Sequence, residues 1–148
     1  MRILQLIEDG GACDVRELSS LFDALEAVEP AELVGDWSGG DFDDGSTHPC
    51  RSMMESIKWA GMLFKSTDDV APVMSWTDDG KRVENEYWGR AQIREVKYRG
   101  IVSTCVIFDS YPIMDHFRRV SDNTLMGLLD AKEKVLKDAG PYYFWIRK

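Results

Sequence analysis

Histidine is scarce in this chain, with only His48 and His116, and the three cysteines, Cys13, Cys50 and Cys105, are odd in number and far apart. No Cys-x-x-Cys pair and no zinc-type Cys/His spacing occurs, so no metal site, disulfide framework or cofactor is expected. Basic residues are outnumbered, 18 Lys and Arg against 26 Asp and Glu, for a net charge of −8. A groove that tracks nucleic-acid phosphates needs clustered cations, so nucleic acid is set aside as a partner. Long apolar runs are missing too: the opening Met1-Arg-Ile-Leu-Gln-Leu-Ile-Glu8 turns polar well before the length of a signal segment or a membrane span. The expectation is a soluble cytoplasmic chain with free thiols and no membrane partner. Neither Gly-x-Gly-x-x-Gly nor a phosphate-binding Gly-Lys-Ser/Thr is present, which removes support for a dinucleotide or ATP site. Ser103 and Ser110 lack the Gly-x-Ser-x-Gly elbow of a covalent hydrolase.

Aromatic residues, by contrast, are plentiful: five Trp, five Tyr and six Phe, with seven Met beside them. Such side chains build cores and line cavities. At 148 residues and 44% hydrophobic content, the chain is long enough to bury one continuous core, so residues 1–148 are read as a single domain.

Asp14 and Glu17 have capping-box spacing, and Val15, Leu18, Leu21, Phe22 and Leu25 follow at helical intervals, which predicts an amphipathic helix over 15–27. Pro30 begins a further helical turn that closes into Gly35, so residues 1–34 form an N-terminal helical segment. From there the pattern is mainly β. Strands are predicted over 37–42, 59–64, 70–76, 93–98, 101–108, 112–120, 124–131 and 142–147, with a short helix opened by Pro49 between the first two. Arg99-Gly100 has the composition of a tight hairpin turn, and Ser121-Asp-Asn123 marks a second turn. Asp41-Phe-Asp-Asp-Gly45 lacks the ligand spacing of a calcium loop and reads as a solvated turn. Short connections between consecutive strands argue for an antiparallel barrel or half-barrel over residues 35–148, with the N-terminal helix lying across one face or opening.

The segments Gly35-Asp-Trp-Ser-Gly39, His48-Pro49, Trp59-Ala-Gly61, Gly89-Arg-Ala91, Tyr98-Arg-Gly100, Asp109-Ser-Tyr-Pro-Ile113 and Asp115-His-Phe-Arg118 together resemble the GXWXG-domain family and the domain of unknown function that accompanies it. Met62 is a departure, since the resemblance leads one to expect a lysine there. A looser similarity, Gly-x-Trp at the first strand, is to lipocalin and nitrobindin-type calycin barrels. That likeness implies an apolar ligand, with Trp37 plugging the closed end. Nitrobindin-like barrels hold haem through a late histidine, and this chain has none after His116.

Strand alternation puts Ile113, Asp115 and Phe117 on one face and Met114, His116 and Arg118 on the other. A carboxylate among apolar side chains has its charged form disfavoured, so Asp115 is the first catalytic candidate, against the alternative that it pairs with an Arg or an indole to tie the sheet. His48, ahead of Pro49 at a helix start, is a candidate general base or hydrogen-bond donor, or else a plain cap. Tyr111 and Asp109 flank the turn before Pro112 and are candidates for a polar pair at a pocket mouth, with turn formation as the simpler account. Trp37, Trp59, Ile113 and Phe117 join Asp109 as candidate ligand contacts, and Ile107, Leu128 and Phe144 as further cavity lining.

Three readings follow. The first is a barrel that binds a small, largely apolar molecule. The second is a cofactor-free isomerase, cyclase or dehydratase acting on such a molecule by acid/base catalysis in the same cavity. The third is a homodimer or other homo-oligomeric module whose aromatics are buried between subunits.

Overall fold

The last five strands each pair with the next in antiparallel register, and the first strand closes the ring against both the last and the second. The computed structural model describes residues 1–45 and 47–148. In chain order the elements are α1 (Arg2–Asp9), α2 (Val15–Asp23), α3 (Pro30–Leu33), β1 (Gly35–Asp41), α4 (Pro49–Ser56), β2 (Trp59–Phe64), β3 (Val70–Trp76) and β4 (Arg82–Glu84). A 3-10 turn (Glu86–Trp88) then leads into β5 (Ala91–Tyr98), β6 (Ile101–Phe108), β7 (Met114–Ser121), β8 (Thr124–Asp130) and β9 (Tyr142–Arg147).

The barrel runs β1-β2-β3-β5-β6-β7-β8-β9 and back to β1. Its one thin seam lies between β3 and β5, which pair only at Val70↔Ala91. Along the rest of that edge β3 pairs with the short β4, through Met74↔Glu84, Ser75↔Val83 and Trp76↔Arg82. The 3-10 turn after β4 carries Trp88, 6% exposed, into the core at this seam.

Both faces of the sheet are buried over β6 to β9. Inside sits a core of Trp37, Phe64, Val73, Ile93, Val106, Phe117, Phe144 and Ile146 among others. Outside, α1 and α2 lie across the sheet and bury Ile3, Leu6, Leu18 and Phe22 against Val120, Met126, Leu128 and Tyr143. The N-terminal helical segment therefore covers a face of the barrel. It differs from the sequence expectation in detail: a separate helix, α1, is present, stopped by Gly10 in the left-handed conformation (φ 64°), and α2 ends at Asp23 rather than Ala27. The cap is as expected, with the Asp14 carboxylate accepting from the Glu17 N–H at 2.8 Å.

This second layer explains two departures from simple alternation. Arg118, on the outward face of β7, is 2% exposed because its guanidinium donates to the Phe22, Asp23 and Tyr98 carbonyls at 3.0–3.1 Å. It caps the C-terminus of α2, where orphan carbonyls and the helix dipole favour a cation. Leu128, expected inside, points outward under the helices, and its neighbour Leu129 faces in. Ile107 likewise lines a surface groove rather than the interior.

Candidate functional site

The two ends of the barrel are built differently. At one end, Gly35 opens β1 with φ 142°, a conformation that disfavours side chains, and Trp37 two residues on packs inward at 2% exposure. Its indole donates to the Leu33 carbonyl at 2.8 Å, so α3 and Trp37 together close that end. Gly39 completes the alternation. A Cβ there would lie 2.3 Å from the Trp59 ring, so this glycine is the space into which Trp59 leans.

At the other end lies a cavity. Its walls are the inward residues at the rim of the strands: Trp59 and Met62 of β2, Val73 of β3, Phe108 of β6, Leu129 of β8, and Tyr142 and Phe144 of β9, with Ile113 just before β7. Met54 of α4 and Trp88 of the seam complete the wall, and Asp115 of β7 is the one carboxylate on it. Aromatic rings meet edge to face, Trp59 on Phe144 and Phe117 on Phe144, each at 5.6 Å between centroids. The void is about 30 Å³. Two further spaces adjoin it, a more open cleft of about 210 Å³ beside Trp59 and Trp76 and a groove of about 130 Å³ beside Cys50 and Val135. Met54 borders all three.

The polar groups of this cavity set it apart from an ordinary core. Asp115 is 4% exposed and Trp88 6% exposed, and both Asp115 Oδ1 and Trp88 Nε1 are buried without a hydrogen-bond partner. Among the described residues no cation or donor reaches the Asp115 carboxyl. Burial alone pushes it up to about 8, so it is uncharged at neutral pH. Tyr142 is satisfied: its hydroxyl donates to Asp41 Oδ2 at 3.0 Å. Cys50, packed against the same core, is pushed up to about 11, first by burial and then by the Asp115 charge, so it is a thiol rather than a thiolate. No three His, Cys, Asp or Glu side chains among the described residues converge on a point where a metal ion could be held.

Helix α4 lies over this end and is held by its flanks. Arg51 reaches Asp41 and Asp44 at 3.1 and 3.0 Å and donates to the Phe42 carbonyl. His48 caps α4, its Nδ1 accepting from the Cys50 N–H at 3.0 Å, while its Nε2 lies 2.7 Å from the Gly140 carbonyl. With both nitrogens so engaged, the ring is the Nε2–H tautomer, and it leans on Tyr142 at 5.2 Å. No residue of α4 is fully buried.

Of the residues singled out from sequence, Asp115, Trp59 and Ile113 come together on the cavity wall. Phe117 lies in the same core behind Phe144, and Trp37 sits at the closed end. His48 and Tyr111 are not on the wall with Asp115. Tyr111 lies tilted against Trp88, with 5.0 Å between ring centroids, and borders the outer groove. Asp109 is exposed, with its N–H bonded to the Arg90 carbonyl, and borders none of these spaces. Trp88 was not singled out. The only sequence signal for it is the Asn85 side chain capping a turn that Gly89 (φ 70°) ends.

No helix among the described residues is long and apolar enough to cross a membrane. No curated protein matches the chain. A crystal structure of a protein from Thermomonospora curvata is 35% identical, covers 99% of this chain and 95% of its own, and superposes with a TM-score of 0.90. Two family models match, the GXWXG protein over residues 20–80 and the Domain of unknown function (DUF4334) over residues 89–148. Residues 81–88, with β4 and Trp88, lie between the two matches, and on these matches the chain belongs to the GXWXG protein family.

Proposed function

We propose that the barrel binds one small, largely apolar molecule in the cavity beneath α4. One observation carries this reading: a cavity with aromatic and aliphatic walls holds two polar side chains, Asp115 and Trp88, that the protein itself leaves unpaired. Buried polar groups are nearly always satisfied, because leaving one unpaired costs about 1–3 kcal/mol. A ligand that supplies the missing partner recovers that cost.

The void of about 30 Å³ is far smaller than the roughly 300–1,000 Å³ of typical ligand pockets, so binding requires the wall to give. Met54 is the part best suited to move, since it is an unbranched side chain on a helix with no buried residue, and it separates the void from the cleft and the groove. Displacing it joins the three spaces.

Native mass spectrometry of untreated protein, paired with titration of tryptophan emission by an apolar probe such as a medium-chain fatty acyl ester, tests the reading. Bound probe and a change in emission are expected. An unresponsive protein that runs as a plain oligomer overturns it in favour of a homo-oligomeric module.

A second reading, acid/base catalysis on the bound molecule, is favoured by the uncharged state of Asp115, because a neutral carboxylic acid at the wall can hand a proton to a substrate. In this reading Asp115→Asn retains binding and loses turnover. Turnover that persists in the variant removes Asp115 from the chemistry.

A further inference from the structure

We infer that the ligand of this cavity is an uncharged carbonyl compound, an apolar skeleton with one acceptor oxygen that takes hydrogen bonds from the Trp88 indole N–H and the Asp115 carboxyl. The inference rests on the binding reading above and names the chemistry that satisfies it.

The unpaired donors of the wall decide the class. Trp88 Nε1–H can only donate. Asp115 has no cation, and among the described residues no donor reaches it, so it sits in this apolar wall as the neutral acid, which also has a hydrogen to give. Two unpaired donors on one wall call for an acceptor, and a carbonyl oxygen has two lone pairs and no hydrogen of its own to place.

The competing classes each leave something unsatisfied. A hydrocarbon leaves both groups as they are. An amine enters as a cation, and its charge would pair with an ionised Asp115, but an ammonium has no lone pair and so leaves the Trp88 N–H buried and unpaired. A carboxylate meets an acid that must stay protonated and a cavity with no Lys or Arg on its wall, so its own desolvation goes uncompensated. Of these four classes the carbonyl compound alone is neutral, acceptor-only and matched in number to the donors present. The aromatic walls suit a flat conjugated or ring-bearing skeleton, since Trp59, Tyr142 and Phe144 present faces and edges around the same void.

Three probes of nearly equal size separate these classes: acetophenone, cumene and 1-phenylethylamine, which differ only in carrying a carbonyl, a methyl or an amine at one carbon. They are titrated into isotope-labelled full-length protein, following the indole N–H resonance of Trp88, assigned by its disappearance in Trp88→Phe. Acetophenone is expected to bind about tenfold or more tightly than cumene, as one or two well-placed hydrogen bonds allow, and to shift the Trp88 indole resonance downfield. Asp115→Leu, which leaves only the Trp88 N–H, should cut the preference severalfold, and Asp115→Asn, which keeps a donor, should retain most of it. Equal binding of acetophenone and cumene, or preference for the amine, overturns this inference while leaving the binding barrel in place. Failure of all three probes to bind, with no shift at any cavity resonance, instead overturns the binding reading on which the inference rests.

Discussion

Gly39 and Trp59 share one volume: a methyl group added at Gly39 would lie 2.3 Å from the Trp59 ring, which in turn packs edge-on against Phe144. The second glycine of the Gly35-x-Trp37-x-Gly39 segment thus shapes the cavity, since it sets how deeply Trp59 leans over it. Gly39→Ala should destabilise the protein by ~1–3 kcal/mol, the usual cost of overpacking. Replacing Trp59 by Leu in that background should cost less than the same replacement alone. Urea denaturation followed by far-ultraviolet circular dichroism measures both, and additive effects would show that the two positions do not compete for space.

Trp37 serves the closed end. Its ring is 2% exposed and its indole is the donor to the Leu33 carbonyl. Trp37→Ala should cost ~3–5 kcal/mol through loss of buried area and the cavity left behind. Trp37→Phe keeps most of the ring but leaves the carbonyl of Leu33 without that donor, so a loss nearer ~1–2 kcal/mol is expected. Trp37 adjoins the wall residue Met62 across the strand pair but is not itself on the cavity wall, so affinity for an apolar probe in the folded fraction should change little. A large loss of affinity in Trp37→Phe would instead place Trp37 in the ligand's environment.

Helix α4 should open more readily than the barrel. None of its residues is fully buried, and besides the apolar contacts of Cys50 and Met54 with the core it is held by Arg51 to Asp41 and Asp44 and by the His48 ring to backbone. Amide hydrogen exchange should therefore be faster in α4 than in β7 or β8, where both faces of the sheet are covered. Arg51→Ala should accelerate exchange in α4 further and speed probe entry. Protection in α4 equal to that of β8 would remove the helix as the moving part of the wall.

Much of the barrel was legible in the sequence because its strands are bounded by residues with strong turn chemistry. β2 and β3 fall where their apolar runs predict, and the Arg99-Gly100 turn has positive φ at both positions (48° and 80°), the geometry of a two-residue hairpin. What alternation alone misreads is the stretch where the sheet is covered twice. There Arg118 and His116 are buried beside Leu128, so inward and outward faces carry no contrast, and Leu128 is taken for lining that Leu129 provides. α1 is hidden for a related reason, since only Ile3 and Leu6 are buried and eight residues give too few turns for a clear period. Asp115 was visible because a lone carboxylate between Ile113 and Phe117 breaks an apolar face. Trp88 was not, because a 3-10 turn has no periodicity to break and its place is set by the thin β3–β5 seam, a tertiary feature.

The titration of Asp115 gives the most specific expectation. An unfolded aspartate titrates near ~3.9, and burial pushes Asp115 up to about 8 in the folded chain. Between those values the native state holds a proton that the unfolded state has released, so this site's contribution to stability is full at acid pH. It is lost progressively as pH rises, levelling off above about 8. This is the reverse of the usual salt-bridged aspartate. Cys50 from α4 and Tyr142 from β9, on its side of the sheet, are pushed upward by burial, as is Cys105 on the opposite face of β6, whereas His116, also on that opposite face, is lowered by burial. Other carboxylates, such as Glu32 and Asp78, are lowered by their cationic partners and slope the other way, so the observable is a difference. The stability of Asp115→Asn minus that of wild type should rise from pH ~5 to pH ~8, by an amount on the order of a few kcal/mol. Urea midpoints taken across that range measure it. A flat difference would mean that Asp115 ionises in the folded protein as it does in the unfolded chain, and a cavity that tolerates the charge would not hold the neutral donor on which carbonyl recognition depends. Saturating acetophenone should carry the same rise on past pH ~8, because a ligand that accepts from the protonated acid holds the proton in place to higher pH.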